Sequence, residues 1–291
     1  MKCSVFVPSH ITGFFEIIDN DDPLKKGSCG AGIVMDKGVL TELKITDGDG
    51  IEIKINGKYD ERNVTITEKA IEIIKRQFNL EGKKIRIDHT VQVPIGAGFG
   101  TSAAFALGTS IGISKLLQLP LSFNKSAQIA HIAELEMKSG LGDVIGEISG
   151  GIVLRLKEGA PGIGKTVKIA SDQTEKLYVI SKTFGEIKTS DIIENPVYKR
   201  KINQMGHNLL QKLINDPKPG KFMDLSREFA EKTGLMSPEV KEAINILKNE
   251  TLGASMAMLG NTVFALSESK YTSLNDAIIT KIDNYGCRII K

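Results

Sequence analysis

The sequence predicts an α+β protein built as two domains, an N-terminal α/β domain over residues 1–172 and a C-terminal ferredoxin-like domain over residues 173–291. Three observations carry the prediction. At 291 residues the chain can bury more than one core. In its first half, runs with apolar residues at every second position alternate with runs at helical spacing. The second half reads as strand, helices, two strands, helix and strand, the order of a ferredoxin-like unit.

Composition bounds the function. Hydrophobic residues make up 41% and charged residues 25%, which excludes a disordered chain. A net charge of +3 and the absence of Trp give no electrostatic footprint or stacking platform for nucleic acid, and binding of a small anion stays open. Cys3, Cys29 and Cys287 are far apart and form no CxxC, so neither a disulfide framework nor a zinc site is expected. No signal-peptide core or membrane-length apolar run is present, and a cytoplasmic protein is the expectation. Unpaired strand edges leave a homodimer open.

Taken in order, residues 3–7 read as a short strand stopped by Pro8. An apolar stretch containing His10 follows to residue 17. His10 is either a hydrogen-bonded core histidine or a site residue at a strand end. Residues 25–32, Lys-Lys-Gly-Ser-Cys-Gly-Ala-Gly, would suit an anion through Lys25, Lys26 and Ser28; a flexible loop with solvated lysines is the alternative. Strand signals at 33–35, 39–45 and 51–55, separated by glycine turns, predict an antiparallel meander. Thr65 and Glu68 have capping-box spacing ahead of a helical stripe running from Ala70 to Phe78.

Residues 84–93 then alternate as a strand, and residues 101–117 read as a closely packed helix rich in alanine. Between them lies Pro94-Ile-Gly-Ala-Gly-Phe-Gly, followed by Thr101 and Ser102. A helix start leaves backbone N–H groups unpaired, and glycines let a phosphate approach that backbone without Cβ clashes. The Ser102 hydroxyl adds an oxygen ligand for Mg²⁺. A tight packing turn is the other reading, and strand, glycines, hydroxyls and helix together favour the phosphate site.

A second helix spans about 124–138 and sets His131 and Glu134 on one face. The turn Ser139-Gly-Leu-Gly-Asp143 follows. Asp143 is either a helix N-cap or, beside Glu134 and Ser102, part of a set suited to Mg²⁺ and proton handling. Arg155 interrupts the strand 152–156 as a solvated edge residue or a carboxylate clamp. Residues 159–166 match G-x-x-x-x-G-K-T, but the β-branched alternation after Lys165 predicts a hairpin strand, not the helix that a phosphate-binding P-loop requires. In the second half, strands are expected at 176–182, 254–258, 262–266 and 287–290, and helices at 196–214, 222–232, 238–248 and 274–284.

These residues resemble the GHMP kinase superfamily. Its middle motif, P-x-G-x-G-L-G-S-S-A-A, is similar to residues 94–104, with Phe99 for Leu and Thr101 for the first Ser. Its first motif resembles residues 8–16, with His10 where many members have a cation, and its third resembles residues 253–264 around Gly260. Within the superfamily, His-Ile-Thr-Gly-Phe-Phe-Glu, Gly-Leu-Gly-Asp and Ser-Met-Ala-Met-Leu-Gly are similar to the pantoate kinase family along the whole chain.

The resemblance implies an α/β nucleotide-binding domain joined to a ferredoxin-like domain, with ATP and Mg²⁺ as cofactors and the 4-hydroxyl of pantoate as acceptor. It assigns Pro94, Gly96, Ala97, Gly98, Gly100, Thr101 and Ser102 to ATP and Ser102 with Glu134 to Mg²⁺. Asp143 and His10 become the catalytic pair. Lys25, Lys26, Ser28, His131, Arg155 and Thr189 are the candidates for the acceptor. Another GHMP kinase acting on homoserine, shikimate or mevalonate, or a non-catalytic binding protein of the same fold, are the alternatives.

Overall fold

The computed structural model describes residues 1–187 and 195–291. Two sheets organise the chain. The larger contains β1 (Lys2–Ile18), β2 (Gly27–Asp47), β3 (Ile51–Ile55), β4 (Lys83–Val91), β5 (Ile152–Lys157), β6 (Lys165–Lys168) and, from the far end of the chain, β11 (Arg288–Ile289). Its main path is β11-β1-β2-β4-β3, with β5 branching from β2 and β6 pairing β5. The smaller sheet has the order β10-β7-β9-β8, from β7 (Tyr178–Gly185), β8 (Gly253–Met256), β9 (Asn261–Ser267) and β10 (Ile278–Lys281). That order, with all neighbours antiparallel, is the strand order of a ferredoxin-like sheet.

Helices α1 (Thr65–Lys75), α2 (Thr101–Leu116) and α3 (Phe123–Met137) pack together beside the larger sheet. Val5, Val39, Leu43 and Ile87 meet Ala103, Leu107 and Ile111 in a shared core. α2 is apolar on all sides because it is buried on all sides. The short α4 (Asp143–Ser149) precedes β5. Helices α5 (Pro196–Asn215), α6 (Pro219–Thr233) and α7 (Pro238–Leu247) lie between β7 and β8. Phe14 and Phe15 of β1 pack on Phe222 and Phe229 of α6, so one core crosses between the two halves. Ser122 and Ser237 cap α3 and α7 by accepting from Lys125 N and Val240 N. No helix among the described residues is long and apolar enough to cross a membrane.

Several expectations need correction. β1 does not stop at Pro8; the register shifts between Pro8 and Ser9, so the missing N–H falls at an irregularity and the strand continues to Ile18. Most of residues 25–32 is strand, not loop, since β2 begins at Gly27 and pairs with β1. The meander is not formed, because β3 runs parallel to β4 with α1 as the crossover. α1 starts after Val64 without a side-chain cap, and the Thr65 hydroxyl donates to Arg62 O at 3.1 Å instead. The helix expected over 274–284 is replaced by β10, whose β-branched Ile278, Ile279 and Thr280 pair with β7. The last strand, β11, joins β1 in the larger sheet.

Candidate active site

The glycine segment joins β4 to α2, and Gly96, Gly98 and Gly100 have φ of 72°, 86° and 69°. A side chain there is strained. Gly100 opens α2, whose first turn has neither an acidic residue nor a side-chain cap, so its N–H groups face the cleft as an anion site. The loop is held from behind. His10 N donates to Phe99 O at 3.2 Å, and Thr262 Oγ1 donates to Ala97 O at 2.8 Å. Gly260 sits so close to Ala97 O that a Cβ would collide, which gives the glycine of the third motif a packing role.

Ser102, in the first turn of α2, donates its hydroxyl to Glu134 Oε1 at 2.6 Å, and Ser139 Oγ donates to the same oxygen at 2.9 Å. Glu134 is 2% exposed. Desolvation, followed by the charge of Asp143, pushes its carboxyl up to about 8. Burial outweighs the two hydroxyl hydrogen bonds, which act the other way.

Asp143, the first residue of α4, places Oδ1 2.7 Å from His10 Nδ1, and Arg155 Nη1 lies 3.3 Å from His10 Nε2. A guanidinium only donates, so Nε2 accepts and Nδ1 carries the hydrogen given to Asp143. Burial lowers the His10 pKa against the opposing pull of Asp143, which keeps the ring neutral. Gly146 lies flat against the ring, where a Cβ would stand 2.8 Å from Cδ2. His10 is therefore clamped in one orientation.

A cavity of about 290 Å³ runs along these groups. Of the expected residues, Gly96, Gly98, Gly100, Thr101, Ser102, Ser28, Asp143 and Arg155 line it. Pro94 and Ala97 do not; they shape the loop from behind. His10 stands one hydrogen bond behind Asp143. Glu134 stands one behind Ser102.

Lys25, Lys26 and His131, expected at the acceptor, do not reach the cavity. Lys25 pairs with Asp22 at 3.5 Å and Lys26 with Asp19 at 3.1 Å on the surface. His131 Nε2 lies 3.1 Å from the carbonyls of both Pro23 and Lys26, so the ring braces that turn, and burial lowers its pKa. Thr189 lies outside the described residues. Arg155 is not a solvated edge residue but is 1% exposed, and its Nε is buried without a hydrogen-bond partner.

Sequence reasoning missed Ser139, Arg62 and Glu147. Glu147 is fully buried on α4, neither carboxyl oxygen has a partner, and burial with the charges of Asp143 and Glu134 raises its pKa well above the usual range. Its spacing of four from Asp143 was the only signal in the sequence. Among the described residues no group of three or more His, Cys, Asp or Glu is disposed as a metal cage. The Ser102–Glu134 pair offers hard oxygen donors, which fits Mg²⁺ sharing its remaining ligands with phosphate and water.

A glycine loop opening a helix at a cleft backed by buried carboxyls is an arrangement suited to phosphoryl transfer. The model for the GHMP kinases N terminal domain matches residues 65–151, and that for the GHMP kinases C terminal domain matches residues 209–284. The pantoate kinase of Methanocaldococcus jannaschii is 38% identical across 98% of this chain and 99% of its own. The pantoate kinase of Thermococcus kodakarensis is 37% identical over 91% of this chain and 88% of its own. A solved structure described as a phosphotransferase related to the CoA biosynthesis pathway superposes with a TM-score of 0.88 at 33% identity, covering 100% of this chain and 99% of that one. The chain belongs to the GHMP kinase family.

Proposed function

We propose that the protein transfers the γ-phosphoryl group of ATP to the 4-hydroxyl of pantoate, giving 4-phosphopantoate for coenzyme A synthesis. The observation that carries the choice of acceptor is Arg155. A buried guanidinium with an unpartnered Nε lines the cavity beside Ser28. An orphaned buried donor of positive charge calls for a carboxylate, and pantoate carries one next to its reacting chain. Full-length similarity to pantoate kinases supports the same acceptor.

Phosphoryl transfer asks the protein for positioning and charge neutralisation more than covalent work. The backbone N–H groups at the start of α2 would hold the β- and γ-phosphates. Ser102 and Glu134 would hold Mg²⁺, which when bound offsets the charge of the phosphate oxygens. Asp143 receives the 4-hydroxyl hydrogen bond and aims the oxygen; acting as general base it would contribute on the order of 10²–10⁴ in rate. His10 is a positioning residue, since its neutral ring donates to Asp143 and leaves the carboxylate's other oxygen for the acceptor. Arg155 fixes His10 through Nη1 and has Nε left for the acceptor carboxylate.

ADP release with ATP, Mg²⁺ and pantoate, run beside homoserine, shikimate and mevalonate, tests the reading. The highest kcat/KM is expected for pantoate. A higher value for any of the others would overturn the assignment of the acceptor.

A further inference from the structure

Triphosphate binding needs cations, and three line the cavity: Arg62, Lys138 and Arg155. Arg155 is committed to His10 at the acceptor side. Arg62 stands just before α1, at the glycine-loop end, and its Nη2 donates to Glu186 Oε2 at 2.7 Å. Glu186 comes from the other half of the molecule, directly after β7. Its carboxyl lies over Gly96, where a Cβ would meet Glu186 Cδ at 3.1 Å and Oε2 at 3.4 Å. An anion just past β7 thus rests on the loop suited to phosphate, paired with a cation that stands before α1. Both side chains are well exposed, 76% for Arg62 and 51% for Glu186, so the pair is screened and readily exchanged.

We infer that Glu186 is a stand-in for phosphate: it covers Gly96 and holds Arg62 while the site is empty, and an arriving nucleoside triphosphate displaces it and takes over Arg62. Arg62 becomes a nucleotide-binding residue and Glu186 its intramolecular competitor. A triphosphate carries more charge than one carboxylate and reaches the loop N–H groups and Arg62 together, so the exchange runs toward the ligand. This inference rests on the nucleotide reading of the glycine loop.

The test is calorimetric binding of ATP with Mg²⁺, together with the KM for ATP, in the full-length chain and in Arg62→Gln and Glu186→Gln. Arg62→Gln is expected to weaken ATP binding about tenfold, the scale of one lost hydrogen bond to a charged group. Glu186→Gln is expected to tighten it about threefold, the scale of releasing one exposed ion pair. The opposite signs are the signature, because a pair that merely tied the two halves together would shift both variants alike. Any pattern other than weakening in the first variant and tightening in the second overturns the inference. Absence of ATP binding in the unaltered chain would instead refute the nucleotide reading itself. Both positions are exposed, so the thermal melts are expected to match that of the unaltered chain.

Discussion

Replacing Glu134 with Gln should make the protein more stable and less active, with a stability gain that depends on pH. The Glu134 carboxyl stands at about 8 against an ordinary 4.5, chiefly because it is desolvated. For an acid raised on folding, the folded chain keeps a proton that the unfolded chain has released, so stability falls as pH rises from about 4.5 to about 8 and is level beyond. At about 1.4 kcal/mol per pH unit, the cost at pH 7 is on the order of 3 kcal/mol.

Gln keeps an oxygen that accepts from Ser102 and Ser139, and it has no proton to lose. Its amide has its own desolvation cost, so the informative quantity is the change with pH. The melting temperature of Glu134→Gln minus that of the unaltered chain should grow between pH 5 and pH 8 by about 5 °C. ATP-dependent turnover should meanwhile fall at least ~100-fold, since the proposed Mg²⁺ site loses its carboxylate. A difference that stays flat from pH 5 to pH 8 would refute the claim that desolvation holds Glu134 protonated. Retained turnover would remove it from the metal site.

Three further outcomes follow from the same geometry. His10→Ala should lower kcat by roughly 10–100-fold with little change in the KM for ATP, because Asp143 loses the hydrogen bond that aims it; a raised KM for ATP with normal kcat would place His10 at the nucleotide instead. Lys165→Ala should leave turnover within about twofold, since Lys165 begins a hairpin strand and no helix follows it; lost activity would restore the P-loop reading of residues 159–166. Gly100→Ala should cost about 2–4 kcal/mol in urea denaturation, from a φ of 69° and a collision with Glu147 Oε1, and an unchanged midpoint would mean that the loop and α4 move apart freely.

The glycine loop and the helix after it were legible because their signal is local. Three alternating glycines need positive φ, and the alanine-rich run after them needs close packing, so loop and helix were both fixed by adjacent residues. How His10, Asp143 and Arg155 join was not, because it is made by contacts far apart in the chain. His10 and Asp143 are 133 positions apart, and His10 and Arg155 are 145 apart. Arg155 on β5 could be read as a solvated edge residue or as a clamp, because alternation assigns a face and says nothing of what covers it. Lys25 and Lys26 read as anion ligands by their charge, yet neighbouring aspartates satisfy them. The same limit governs the sheets. β3 alternates whether it pairs with β2 or β4, and only the α1 crossover decides.

The acidic cluster explains why the site is arranged in layers. The charge of Asp143 acts on both Glu134 and Glu147, and three ionised carboxyls in so small a space would repel one another and the incoming triphosphate alike. Burial settles this by keeping Glu134 and Glu147 protonated, while Asp143 receives the His10 hydrogen, with the Arg155 guanidinium on the far side of the ring. Glu134 differs from Glu147 in having Ser102 and Ser139 beside it and the cavity one residue away. Were Ser102 and Glu134 to hold a divalent cation, Glu134 would give up its proton while Glu147 stayed neutral. Binding of Mg²⁺ with ATP should release close to one proton at pH 7, seen as a dependence of the calorimetric heat on the buffer's ionisation enthalpy. Glu134→Gln should abolish that dependence; if the release persists in this variant, the proton comes from elsewhere in the cluster.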